Sequence, residues 1–184
     1  MPKIKKCKGI GLCGLLTALF VLPLAQGHSM YQSAVLLDFR GNVVDAELQL
    51  PLDRLAISFK QTVDEQHFAA QQGLLRAYLQ AHIQPVTPDQ VPFRVTPGSL
   101  SIQQVEGAPY LVARLTLAPP PGHGPDRFLL HYDAITHEIV THVALVSIRS
   151  DSKTEIKEPL LIGVIRGERK TVNVERPALL GVKR

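Results

Sequence analysis

Nine of the 14 prolines in this 184-residue chain lie between Pro85 and Pro125, in clusters such as PVTPDQVP and APPPGHGP. Proline has no amide hydrogen and its ring clashes with the preceding helical turn. The stretch is therefore barred from helix and restricted to loops, strand ends and sheet edges. What lies between the clusters is strand-like. LSIQQVEG and PYLVARLTL flank Glu106-Gly107-Ala108-Pro109, which predicts a hairpin with Leu111, Ala113, Leu115 and Leu117 on one face.

The same period of two appears before and after the proline-rich stretch. YQSAVLLDF runs into Arg40-Gly41-Asn42 and then VVDAELQLP, where Val44, Ala46, Leu48 and Leu50 alternate with Asp45, Glu47 and Gln49. These segments read as an antiparallel hairpin with one wet face. RFLLHYD, with Phe128, Leu130 and Tyr132 on one face, THVALVSIRS, LIGVIRG and KTVNVE supply further strands. One segment breaks the period. Thr62-Val63-Asp64-Glu65 fits a capping box, and Phe68, Leu75, Leu79 and Ile83 follow at near-helical spacing, which predicts one helix over about 63–83. About eight strands and one inserted helix predict a mainly-β fold: an antiparallel β-sandwich of immunoglobulin-like architecture over residues 28–176, with 177–184 as a tail.

Residues 1–27 read differently. MPKIKKCK carries Lys3, Lys5, Lys6 and Lys8 without an acid; an uncharged apolar run from Gly9 to Ala25 follows, ending in Ala25-Gln26-Gly27. This is the pattern of a signal-peptide helix with cleavage before His28; the run of about 17 residues also suits an uncleaved anchor to the inner membrane. The expected location is therefore periplasmic or otherwise extracytoplasmic. Export changes the charge argument, because removing four lysines from the 20 Lys+Arg leaves 16 against 16 Asp+Glu. A neutral mature chain gives no reason to expect a nucleic-acid partner. Both cysteines, Cys7 and Cys13, fall in the signal segment, so the remainder has no disulfide or thiolate site.

Several strings, HSMYQSAVLLDFRGNVVDAELQLPLDRL, LQAHIQPV, RFLLHYDAITHEIVTHVALVSIRSD and LIGVIRG, together resemble the extracytoplasmic N-terminal region of longer HupE/UreJ-like proteins. These are membrane proteins associated with nickel supply to hydrogenase and urease. The resemblance covers most of residues 28–167, and its most specific block is His131 to Asp151. In that family a multi-helix membrane part follows the exported domain; no such part follows here, so nickel transport itself does not carry over. The resemblance implies a non-enzymatic exported domain that supports a membrane protein partner linked to metal supply.

The residues themselves suggest a second reading, a periplasmic copper- or nickel-binding protein. With cleavage after Gly27, the free amine and imidazole of His28 can chelate one ion together; with cleavage after Ala25, His28 becomes the third residue of a backbone-nitrogen site, although Pro23 disfavours that cut. The alternative is a solvated terminal residue. His131, His137 and His142, with Asp133, form the other candidate set, provided the strands carrying His131 and His142 pair as a hairpin. Their spacing matches no established metal motif, and neighbouring Asp and Thr side chains can satisfy the same histidines structurally. His82 near the helix C-terminus is explained by the helix dipole. No G-x-S-x-G, H-E-x-x-H or phosphate-binding glycine loop is present, so no enzyme is expected.

Overall fold

A computed structural model describes residues 31–177. The signal segment, His28 and residues 178–184 of the expected tail lie outside the described residues. The alternation read from Val43–Pro51 builds the first hairpin: β1 (Ser33–Arg40) pairs antiparallel with β2 (Val43–Pro51), placing Val35 opposite Leu48 and Leu37 opposite Ala46. Val44, Ala46, Leu48 and Leu50 are all buried, as the period of two requires. Gly41 turns the corner with φ +55, a conformation that side chains resist.

After β2 the chain forms α1 (Leu52–Phe59), α2 (Glu65–His82), β3 (Ile83–Val86), β4 (Arg94–Val105), β5 (Ala108–Ala118), β6 (Arg127–Tyr132), β7 (Ala144–Asp151), β8 (Leu160–Ile165) and β9 (Thr171–Glu175). β4 and β5 make the hairpin expected around Glu106 and Gly107, both at positive φ. Pro97 sits in β4 at a register shift, and β4 is an edge strand, the place where a missing amide costs least. Six strands form one sheet in the order β4-β5-β2-β1-β7-β8, and three form a second in the order β3-β6-β9. Side chains from both sheets and from both helices share one hydrophobic core, including Phe39, Leu55, Leu79, Leu115, Phe128 and Val146. The architecture is mainly β and sandwich-like, as the strand pattern predicts.

Four details depart from expectation. There are two helices: α1 buries Leu52 and Leu55, but LDRLAISF is too short for its periodicity to stand out. α2 is capped by Asp64, whose carboxylate accepts from the His67 amide at 2.8 Å, in place of Thr62. Ile83 leaves the helix and starts β3, a ninth strand. Most consequentially, β6 and β7 do not pair. β6 lies between β3 and β9 in the smaller sheet, whereas β7 lies between β1 and β8 in the larger one, parallel to β1 and antiparallel to β8. β1 offers a buried apolar edge that only another apolar strand can cover, and VALVSI supplies it.

Two close contacts hold the sheets in place. Gly163 of β8 lies where an added Cβ would meet the Val172 methyls of β9 at 2.6 Å, so only glycine permits this approach. Arg176, 1 % exposed, follows β9 and donates to Asp151 at the end of β7 and to Asp126 ahead of β6. Its guanidinium also lies 5.3 Å from the Phe39 ring centre. Replacing Arg176 by Met leaves the buried Asp151 carboxylate without its cation. We expect a loss of about 3 kcal/mol or more in urea unfolding; a change within about 0.5 kcal/mol would show that the clasp is not stabilising.

Candidate metal centre

The connection from β6 to β7 carries the chemistry-bearing residues, and its backbone is unusual. Ile135 is fully buried and held at φ +69, a left-handed conformation that a β-branched residue adopts at a cost of about 1–3 kcal/mol. Its amide donates to the Tyr78 hydroxyl of α2 at 3.1 Å, and its carbonyl accepts from the Ser58 hydroxyl of α1 at 3.2 Å. Both helices thus clamp the loop. Burial raises the Tyr78 pKa to about 12, so its hydroxyl stays protonated.

Within the clamped loop, Asp133 organises two imidazoles. Its amide donates to the His82 carbonyl at 3.1 Å, and its carboxylate Oδ1 lies 2.7 Å from His82 Nδ1. Its own carbonyl lies 3.0 Å from His137 Nδ1 and also accepts the His137 amide. A carbonyl or carboxylate can only accept, so both Nδ1 atoms carry the proton. In the neutral rings each Nε2 keeps a free lone pair. This is how metal-binding histidines are usually oriented, with the non-ligating nitrogen donating to a carboxylate or backbone oxygen. The two rings stack with centres 4.1 Å apart and planes 18° apart, and Tyr78 packs 4.4 Å from His82. One ring nitrogen of each histidine and a carboxylate oxygen of Asp133 all lie within 4.8 Å of one another, and all three residues are half-buried. Two nitrogen donors and one carboxylate suit a late first-row divalent ion.

The remaining expected ligands are elsewhere. His131 shares the pocket wall with Asp133, although β6 ends at Tyr132 and Asp133 already belongs to the connection; its Nδ1 pairs with Thr171 Oγ1 at 2.7 Å and it stands outside the ligand group. His142 is carried into the larger sheet with β7. It is buried, with Nε2 and Ser33 Oγ 2.8 Å apart. The hairpin that would have gathered His131, His137 and His142 does not exist, because the chain crosses between sheets after Tyr132. His82 takes the vacated role. Ser33 is fully buried, so its contact with His142 offers no nucleophile to a substrate.

A pocket of about 390 Å³ opens beside His82 and Asp133, with His131, Gln84 and Lys170 on its walls. A larger groove of about 760 Å³ follows the Asp151–Glu158 loop, where acids and lysines intermingle without converging. A third, of about 400 Å³, lies over a charged sheet face on which Arg149 pairs with Asp38 and Glu47. Burial would raise the Asp38 pKa, but hydrogen bonds from Arg149 and Ser150 outweigh it and hold the carboxyl below its ordinary value. Those charges already satisfy one another, whereas the His82–His137 pair leaves donors free.

No family model and no curated protein matches this sequence.

The position of His142 has a measurable effect. Burial, with a smaller contribution from Arg54, pushes its pKa from 6.5 down to about 4. The unfolded chain takes up a proton below pH 6.5 and the folded one only below about 4, so stability falls as the pH drops through that window. His142→Gln keeps a partner for Ser33 and removes the proton uptake. We expect the stability difference between pH 7 and pH 5, read from urea midpoints, to shrink by about 2 kcal/mol in the variant. An equally acid-sensitive variant would assign the effect to other groups.

Proposed function

We propose that this chain is a non-enzymatic, extracytoplasmic domain that binds a divalent transition-metal ion, copper or nickel, through His82, Asp133 and His137. The observation that carries this reading is the clustering of two imidazoles and one carboxylate within 4.8 Å, both rings bonded through Nδ1 to oxygens of Asp133, beside a loop held in a left-handed turn at Ile135. Backbone strain of this kind persists only where surrounding contacts over-determine it, and here the contacts come from Tyr78 and Ser58. The donor set contains no thiolate, which favours copper(II) and nickel(II) over soft-metal chemistry, with copper the tighter of the two.

Export is supported by the lysine-rich start and uncharged apolar run of residues 1–27. The resemblance of residues 28–167 to the HupE/UreJ-like exported region supports a place beside a membrane protein that handles the same metal. No described helix is long and apolar enough to cross a membrane.

Calorimetric titration of the purified protein with copper(II) or nickel(II) is expected to show one equivalent bound at the centre. His82→Ala combined with His137→Ala should abolish that equivalent, and Asp133→Asn should weaken it about 10- to 100-fold by removing the carboxylate charge beside His82. Extending the chain by one residue before His28 should leave it unchanged. Full stoichiometry and affinity in the double variant would overturn the proposal, and sensitivity to the N-terminal extension alone would move the site to His28.

A further inference from the structure

We infer that the second half of β4 is a docking edge for a second copy of this chain, paired antiparallel about a two-fold axis. β4 is the 12-residue outer strand of the larger sheet, whereas the outer strands of the smaller sheet are short: β3 has four residues, Pro85 among them, and β9 has five. An outer strand exposes a row of unpaired amides and carbonyls, which proteins block with proline, charge or a covering element. The first half of β4 is blocked in all three ways. It holds Arg94 and Pro97, and from α2 Gln80 donates to the Val95 carbonyl at 3.0 Å while Arg76 donates to the carbonyls of Pro97 and Gly98. Residues 100–105 carry neither charge nor proline, and among the described residues no strand but β5 pairs with them.

The hairpin fixes which groups are free. Glu106 and Gly107 have φ +50 and +82, so they form a two-residue primed turn in which the flanking Val105 and Ala108 exchange both backbone hydrogen bonds. Alternation from that pair turns the amides and carbonyls of Leu100, Ile102 and Gln104 away from β5. A second copy with Ile102 opposite its own counterpart sets Leu100 against the partner's Gln104, so each outward position meets another. The half-buried Ile102 side chains then pack together as an apolar centre. Charge favours an identical partner over an unrelated strand. The same register brings Glu106 to the irregular stretch around the partner's Gly98, where that copy's Arg76 is held, and the two-fold axis repeats the pairing. Arg76 is bound by carbonyls and by Gln72, and neither it nor Glu106 joins an ion pair among the described residues.

Sedimentation velocity over a rising concentration series of the purified protein tests this, with a chelator present so that no metal bridges two copies. A strand pair of this size is smaller than a standard interface, so a monomer–dimer equilibrium with Kd on the order of 100 µM is expected. Gln104→Pro removes an outward amide that the hairpin does not use and should abolish the dimer while keeping the urea midpoint. Glu106→Arg should raise Kd about tenfold, and adding Arg76→Glu should recover most of that loss. A protein that stays monomeric up to about 1 mM, or a dimer that neither Gln104→Pro nor Glu106→Arg weakens, would overturn the inference. Should Gln104→Pro unfold the hairpin, the charge reversal decides alone: an unchanged Kd for Glu106→Arg, or no recovery in the double variant, would overturn this pairing.

Discussion

The Arg176 guanidinium ties together parts of the chain that secondary structure alone leaves separate. It reaches Asp151 at the end of one sheet and Asp126 at the start of the other, and it lies over Phe39 beside the first hairpin turn. A cation this deeply buried is tolerable only because each of its partners is an acceptor already placed by a strand end. The two sheets are therefore anchored to each other at that end by charge. Elsewhere they meet through apolar packing, closest where Gly163 lets β8 approach Val172. The loop that carries Asp133 and His137 belongs to neither sheet. It spans the gap between them and borrows its rigidity from α1 and α2.

Strand existence was legible because one wet face imposes alternation. Val44, Ala46, Leu48 and Leu50, and likewise Leu111, Ala113, Leu115 and Leu117, are buried as their spacing demands. Strand partnership was not legible, because alternation states which face is apolar and is silent on which neighbour covers the edge. RFLLHYD and THVALVSIRS look like a hairpin, being adjacent and alike, yet β7 joins β1 from more than a hundred residues away. The inserted helix was foreseen, but its cap moved from Thr62 to Asp64, two residues that serve the same purpose by the same oxygen chemistry.

The candidate centre was half visible for the same reason. Asp133 and His137 are close in sequence, so any compact turn brings them together, and both belong to the candidate cluster. His82 is 51 residues from Asp133, and the helix dipole is a sufficient explanation for any histidine in a last turn. Only the strand pairing reveals the link: His82 is the final residue of α2, directly before the strand that pairs with the one carrying His131. That pairing puts Ile83 opposite Tyr132, so the residues flanking the pair, His82 and Asp133, must be neighbours. His142, by contrast, was drawn away by β7, and its burial excludes it from any solvent-facing ligand set.

The parallel pairing of β1 with β7 also sets an order of events. A chain delivered N-terminus first can form the β1–β2 hairpin early, because its strands are joined by two residues, and β5 can then extend that sheet. The other side of β1 stays open until residues 144–151 arrive. Until then Ser33 to Phe39 present a bare, apolar strand edge, the arrangement most open to intermolecular pairing. The loop bearing Asp133 and His137 is the segment that must cross between sheets to close this edge. Completion of the candidate centre and protection of the sheet are thus late events supplied by the same stretch of chain.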